Sequence, residues 1–310
     1  MPLGLGLAAS HAPNVWRPVE KWPAIYEFLT HKAEPPGCEP LEELHRQYAR
    51  IQQSLKTIRD ELVAYHPDAV IIVGDDQNEV FSKAFSPTIA IFTGDRVDGS
   101  ANTGVLREPQ DENHVTLRCH PGLARRILEG LVERGFDPAE MEELVPMGRP
   151  ATGLGHAFAH LGKGLGLDDL DIPVIIVFLN AYRRPMPSAR RCYDLGRALR
   201  ATLADHPERV ALIGSGGLMH YPRGMPDGWI DENLDRWVLE RLARGEGEAL
   251  TNLFTFDSTV LRGGTGEIRN WIVVAGAFEG LGASIIDYIP VKHGCTGLGF
   301  ASWKPNGQAN

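Results

Sequence analysis

The sequence predicts an α/β fold, a single large domain over residues 1–310 with a central, mostly parallel sheet covered by helices on both faces. Three observations carry that expectation. Short apolar runs stand at 3–9, 69–73, 173–179 and 210–214. Segments with helical spacing separate them. The runs lack polar alternation, which is the mark of strands buried on both faces.

The elements follow in order. Leu3–Ala9 reads as a buried strand ending at Ser10-His11-Ala12-Pro13. A helix is expected from about Pro40 to Tyr65, because Leu41, Leu44, Tyr48, Ile51, Leu55, Ile58 and Leu62 recur at steps of three and four. Pro40 suits its first turn, where a missing N–H costs nothing. Ala69–Val73 is a second strand, closed by Gly74-Asp75-Asp76-Gln77. Helices are expected near 122–135, 188–206, 230–243 and 266–281, with strands at 173–179 and 210–214. The stretch 85–113 and the C-terminal tail read as irregular chain that wraps the sheet or covers a site.

Composition narrows the function. Hydrophobic residues make up 43% and charged residues 23%, which excludes a disordered or fibrous chain. With 31 Lys and Arg against 40 Asp and Glu, the net charge is −9, so a nucleic-acid partner is not expected. The basic pairs Arg183-Arg184 and Arg190-Arg191 suit one small anion at most. The four cysteines form no CxxC pair, as expected of reduced thiols in a cytoplasmic protein. The apolar N-terminus is short and lacks a basic region, so no signal peptide is expected. No apolar run approaches the ~20 residues of a membrane span.

Ligands gather at the carboxyl ends of parallel strands, and polar residues crowd those ends here. His11 follows the first strand. Gly74-Asp75-Asp76-Gln77-Asn78-Glu79 follows the second, and reads equally well as a turn with Asp and Asn caps. Gly214-Ser215-Gly216-Gly217-Leu218-Met219-His220 follows the fourth, its glycines allowing close backbone approach. Glu267 opens an otherwise apolar helix, where a carboxylate also complements the helix dipole. His156 and His160 stand four apart but lack the glutamate of HExxH, so His156 reads as a lone site residue. Each signal has a bland structural explanation. Together, histidines and a carboxylate on one rim suit a non-haem iron(II) site with open positions.

Several segments, in matching order, give a family resemblance over nearly the whole chain. Ser10-His11-Ala12-Pro13, Val73-Gly74-Asp75-Asp76-Gln77, Cys119-His120-Pro121-Gly122, His156, Phe178-Leu179-Asn180 with Pro185–Cys192, Gly214–His220 and Gly266-Glu267-Ile268 are similar to segments of the class III extradiol ring-cleavage dioxygenases. That group is typified by the catalytic β subunit of protocatechuate 4,5-dioxygenase. The resemblance implies Fe(2+) held by His11, Gln77 and Glu267, with His220 as acid/base and His156 positioning oxygen or a substrate hydroxyl. The family has a histidine where this chain has Gln77, and none lies between His66 and His114. Asp76 and Glu79 are alternative donors there. Arg183, Arg184 or Tyr182 are candidates to bind a substrate carboxylate.

The implied reaction is ring opening of a catechol-like aromatic with both atoms of O2. The implied assembly is a homo-oligomer, with room for a small second subunit as in some relatives. Two rival readings stand beside it: a divalent-metal hydrolase on the same scaffold, and a non-catalytic protein-binding or redox module.

Overall fold

The computed structural model describes residues 2–305 apart from 103–105, 107, 110–111 and 149–152. An eight-stranded sheet runs through the chain. Its strands are β1 (Leu3–Ala9), β2 (Ala69–Gly74), β3 (Ile89–Phe92), β6 (Ala139–Met141), β7 (Val174–Leu179), β8 (Val210–Ser215), β9 (Ser284–Val291) and β10 (Thr296–Trp303), ordered β6-β3-β7-β2-β8-β1-β10-β9. The central four, β7-β2-β8-β1, are mutually parallel. β3 pairs antiparallel with β7, and β10 pairs antiparallel with β1 and β9. A separate hairpin joins β4 (Arg96–Ser100) to β5 (His114–Arg118).

Two helical layers cover the sheet. Helices α3 (Pro121–Glu133), α5 (Ala189–Thr202), α6 (Glu232–Ala243) and α7 (Ile268–Ala277) share one core with Ile71, Val73, Ile175 and Leu212. Helices α1 (Trp22–Thr30), α2 (Leu41–Tyr65) and α4 (His156–Leu165) share the other with Val70, Ile72, Ile176 and Ile213. Adjacent strand residues thus feed opposite cores, as a period of two requires. Every residue of α7 is buried, Arg269 and Asn270 included, in keeping with its largely apolar sequence. It crosses α5 at very close range: a Cβ on Gly196 would stand 1.9 Å from the Val273 carbonyl, and one on Gly276 would stand 2.0 Å from that of Tyr193. Only glycine permits this approach.

Most expected elements lie where the pattern puts them, with two corrections. Pro40 is the N-cap of α2, in extended conformation, and not part of its first turn. The supposedly irregular regions are partly sheet: 85–113 contains β3 and β4, and the C-terminal segment supplies β9 and β10. The remainder of 85–113 lies partly outside the described residues, as do 306–310.

Strand register aligns the chemistry. Ala9 lies beside Ser215, Gly214 beside Val73, and Gly74 beside Phe178. Because these strands are parallel, the residues leaving β1, β2, β7 and β8 emerge along a single edge. Ser10 ties that edge together: its hydroxyl donates to the Gly217 carbonyl and accepts from Gly299 N–H at 3.0 Å.

Candidate metal centre

His11 leaves β1 fully enclosed. Its Nδ1 lies 3.0 Å from Ser215 Oγ, and that hydroxyl donates onward to the Ala157 carbonyl. Ser215 therefore accepts from Nδ1–H, which leaves the lone pair on Nε2. That atom stands 3.5 Å from Glu267 Oε2 and 3.8 Å from Asp75 Oδ1. Burial pushes the His11 pKa down to about 3, against the opposing pull of Glu267. The ring is a neutral donor throughout the physiological range.

Glu267 enters from the start of α7. Gly217 N–H donates to Oε2 at 2.8 Å, and the Tyr182 hydroxyl donates to Oε1. His220 Nε2 lies 3.2 Å from Oε1. Burial alone would raise the Glu267 pKa, but His220, His11 and the Tyr182 hydrogen bond together hold it below the usual carboxylate range. Burial likewise opposes charge on His220, yet Glu267 raises its pKa above the ordinary imidazole value. Nδ1 of His220 faces the Leu218 carbonyl at 3.1 Å, so Nε2 is its proton-exchanging atom.

His156 begins α4. Its backbone N–H and Nδ1 both meet Glu79 Oε2, at 3.2 and 2.7 Å. Its ring stands edge-on to His11, with centroids 4.9 Å apart. His160, one turn on, faces the carbonyls of His11 and Ala101 at 2.8 and 2.9 Å. It braces the His11 loop and does not pair with His156 as a ligand.

The residues after β2 divide the labour. The Asp76 carboxylate accepts from the N–H groups of Asn78, Glu79, Val80 and Phe81, which is the turn-capping role. Glu79 holds His156. The Gln77 side-chain amide donates to the Tyr182 hydroxyl at 2.5 Å and lies 3.4 Å from Glu267 Oε1. Asp75 is fully buried, and neither carboxylate oxygen has a hydrogen-bond partner among the described residues. Burial, then Glu267 and Glu79, push its pKa well up. One donor atom each from His11, Asp75 and His156 lie within 4.8 Å of one another.

His11, Gln77, His156, His220 and Glu267 are thus all drawn into one cluster. Sequence reasoning missed Asp75 as an inward carboxylate and Tyr182 as a donor to Glu267. Tyr182, expected as a binder of substrate carboxylate, is committed to the cluster. Arg183 donates to Asn78 Oδ1. Arg184 lines a neighbouring cavity of about 650 Å³ that Tyr182, Met186, Phe254 and Phe256 also border.

A metal cation fits this donor set. An orphaned buried carboxylate is costly unless a positive charge compensates it, and Asp75, Glu79 and Glu267 form a buried cluster of three acids. A neutral imidazole with its Nε2 lone pair aimed among carboxylates is a ready ligand.

Fold and cluster together define an α/β protein with a candidate metal-binding site at the carboxyl edge of its parallel strands. The chain belongs to the family of catalytic LigB subunits of aromatic ring-opening dioxygenases, whose model matches residues 28–299. That family carries a metal cofactor. Gallate dioxygenase of Pseudomonas putida is 31% identical over 165 residues, 52% of this chain. The match spans 46% of that relative, about half its length. The 2,3-dihydroxyphenylpropionate/2,3-dihydroxicinnamic acid 1,2-dioxygenase of Photorhabdus laumondii is 22% identical over 302 residues, covering 82% of this chain and 90% of that one. Its namesake in Paraburkholderia xenovorans is 27% identical over 231 residues, covering 73% and 66%. An Escherichia coli K12 structure, described as uncharacterized protein JW3007, shares the fold with a TM-score of 0.58 at 16% identity, over 96% of this chain and 99% of that one. Among the described residues, no helix is long and apolar enough to cross a membrane.

Proposed function

We propose that this chain, acting as one catalytic unit over residues 1–310, is an extradiol dioxygenase. It opens a catechol-like aromatic ring with both atoms of O2, and its metal is iron(II). The carrying observation is the convergence of His11, Glu267 and His220 on one buried point in a chain of this family. His11 and Glu267 are the metal donors, with a third donor from the strand end after β2. Iron(II) held there would supply the redox chemistry that couples an electron-rich ring to O2.

The side chains supply the rest. His220 Nε2, 3.2 Å from Glu267 Oε1, takes a proton from the diol and later returns it. Burial opposes charge on the ring and Glu267 outweighs it, raising the pKa above the ordinary imidazole value, and an imidazole can both take up and release a proton. The Tyr182 hydroxyl, held protonated because burial and Glu267 push its pKa well above the usual value, keeps Glu267 in place. Glu79 fixes His156 on Nδ1, so Nε2 can contact O2 or a substrate hydroxyl. Arg184, at the cavity beside Tyr182, is positioned to meet an anionic ring substituent. The enclosing burial excludes water and competing reactions. The resemblance also carries the expectation of a cytoplasmic homo-oligomer.

The test is anaerobic loading with iron(II), then addition of oxygenated catechols, gallates and aminophenols. The expected result is O2 consumption matched to a ring-opened product. A chain that holds iron and consumes no O2 with any of them would overturn the reading.

A further inference from the structure

The sequence resemblance points to Gln77 as the donor after β2, but Asp75, Asp76 and Glu79 stand in the same turn and offer carboxylates. The candidates can be separated by what each already does. Asp76 accepts from four backbone N–H groups and cannot leave them without undoing the turn. Glu79 is tied to both Nδ1 and the backbone of His156. Gln77 presents its NH2 to Tyr182 and Glu267. Turning the amide to offer its oxygen would set that oxygen against Glu267 Oε1. Asp75 differs from all of these: its side chain is 0% exposed, and both oxygens lack a partner among the described residues.

The spacing agrees. Donors bound at about 2.0–2.2 Å to one ion stand about 3.0–3.5 Å apart at right to tetrahedral angles. His11 Nε2 lies 3.5 Å from Glu267 Oε2, at the wide end of that range, and 3.8 Å from Asp75 Oδ1, about 0.3 Å beyond it, a gap that a small side-chain shift toward a bound cation closes. We propose that Asp75, not Gln77, is the third metal ligand of this chain. It completes a triad of one imidazole and two carboxylates, His11–Asp75–Glu267. Gln77 is then a positioning residue that holds the Tyr182–Glu267 pair. His156 also lies within reach of Asp75 and His11, but a fourth protein donor would leave too few positions for a two-oxygen diol and O2 together. The triad is harder than the two-histidine set, so it favours Mn2+ and Fe2+ over softer ions. The proposal rests on the metal-dependent reading of the site but not on ring cleavage.

The test measures metal binding alone. Full-length protein stripped with EDTA is titrated with Mn2+, free Mn2+ being read by electron paramagnetic resonance. Wild type should bind one ion. Asp75→Asn should weaken binding at least about 30-fold, whereas Gln77→Ala and His156→Ala should each change it by less than about threefold. The metal-free melting temperature of Asp75→Asn should stay close to that of the wild type, because the amide fills the volume of the carboxyl and no hydrogen bond to Asp75 is lost among the described residues, but its rise on adding Mn2+ should vanish. Near-wild-type binding by Asp75→Asn overturns the proposal, as does a loss in Gln77→Ala or His156→Ala equal to that in Asp75→Asn. Gln77→His keeps the idea falsifiable should Asp75→Asn fail to fold: a gain above about tenfold would place position 77 in the ligand set and overturn the triad. None of these outcomes depends on turnover, so failure of the dioxygenase reading would be seen separately, as metal bound without O2 consumption.

Discussion

Asp235→Asn isolates one buried carboxyl that supports the site without touching the metal donors. Asp235, on α6, is fully buried and accepts from Met219 N–H and the Tyr288 hydroxyl, each at 2.8 Å. Met219 directly precedes His220, so this carboxyl anchors the loop that carries the acid/base group. Burial raises its pKa from 3.8 to about 7, outweighing the two hydrogen bonds. A carboxyl raised on folding favours the folded state when protonated. That contribution is complete below the unfolded value near 4 and is lost as pH rises through the folded value near 7. At about 1.4 kcal/mol per pH unit, a shift of this size removes about 2–3 kcal/mol between pH 5 and pH 8. Asparagine keeps the acceptor for Met219 and offers an NH2 to Tyr288, mimicking the protonated acid. Urea unfolding of the metal-free protein across that pH range, wild type minus variant, should therefore show the variant gaining about 2–3 kcal/mol on the wild type by pH 8. A flat difference, within about 0.5 kcal/mol, would refute the assignment of a raised carboxyl pKa at this position.

Three further outcomes are expected. Glu267→Gln should keep the helical circular-dichroism signal but bind Mn2+ at least about 100-fold more weakly, checked by the same titration. His220→Gln should bind metal normally and lose about 10²- to 10⁴-fold in kcat, measured by O2 uptake. A Cβ on Gly264 would stand 1.7 Å from His220 Nε2, so Gly264→Ala should displace that ring. It should cost about 10²-fold in kcat while leaving metal affinity within about threefold.

The four central strands were legible because burial on both faces demands unbroken apolar runs, and α2 because its stripe keeps a steady period. The edges were not. β9 is largely half-exposed and contains Pro290, and β10 interleaves Gly297 and Gly299 among its buried side chains, so neither shows a clean pattern. β3 has four residues behind Pro87, too few for periodicity to register. In the site, His11, His220 and Glu267 were readable because each stands at a strand end or helix start. Asp75 was hidden by its neighbour: Asp-Asp after a glycine reads as a capped turn, and Asp76 does form that cap. A period of two continued from Val73 turns both Asp75 and Gln77 toward the same side, so the pattern alone does not choose between them. Packing does, by leaving both Asp75 oxygens buried with no hydrogen bond among the described residues.

Stoichiometry of O2 uptake in the iron-loaded wild type tests the central claim most directly. One O2 should be consumed per catechol opened, with ¹⁸O from ¹⁸O2 found in the new carboxylate of the product, which does not exchange with water. Ring opening with no O2 consumed, or release of a hydrolysed fragment in its place, would contradict the claim.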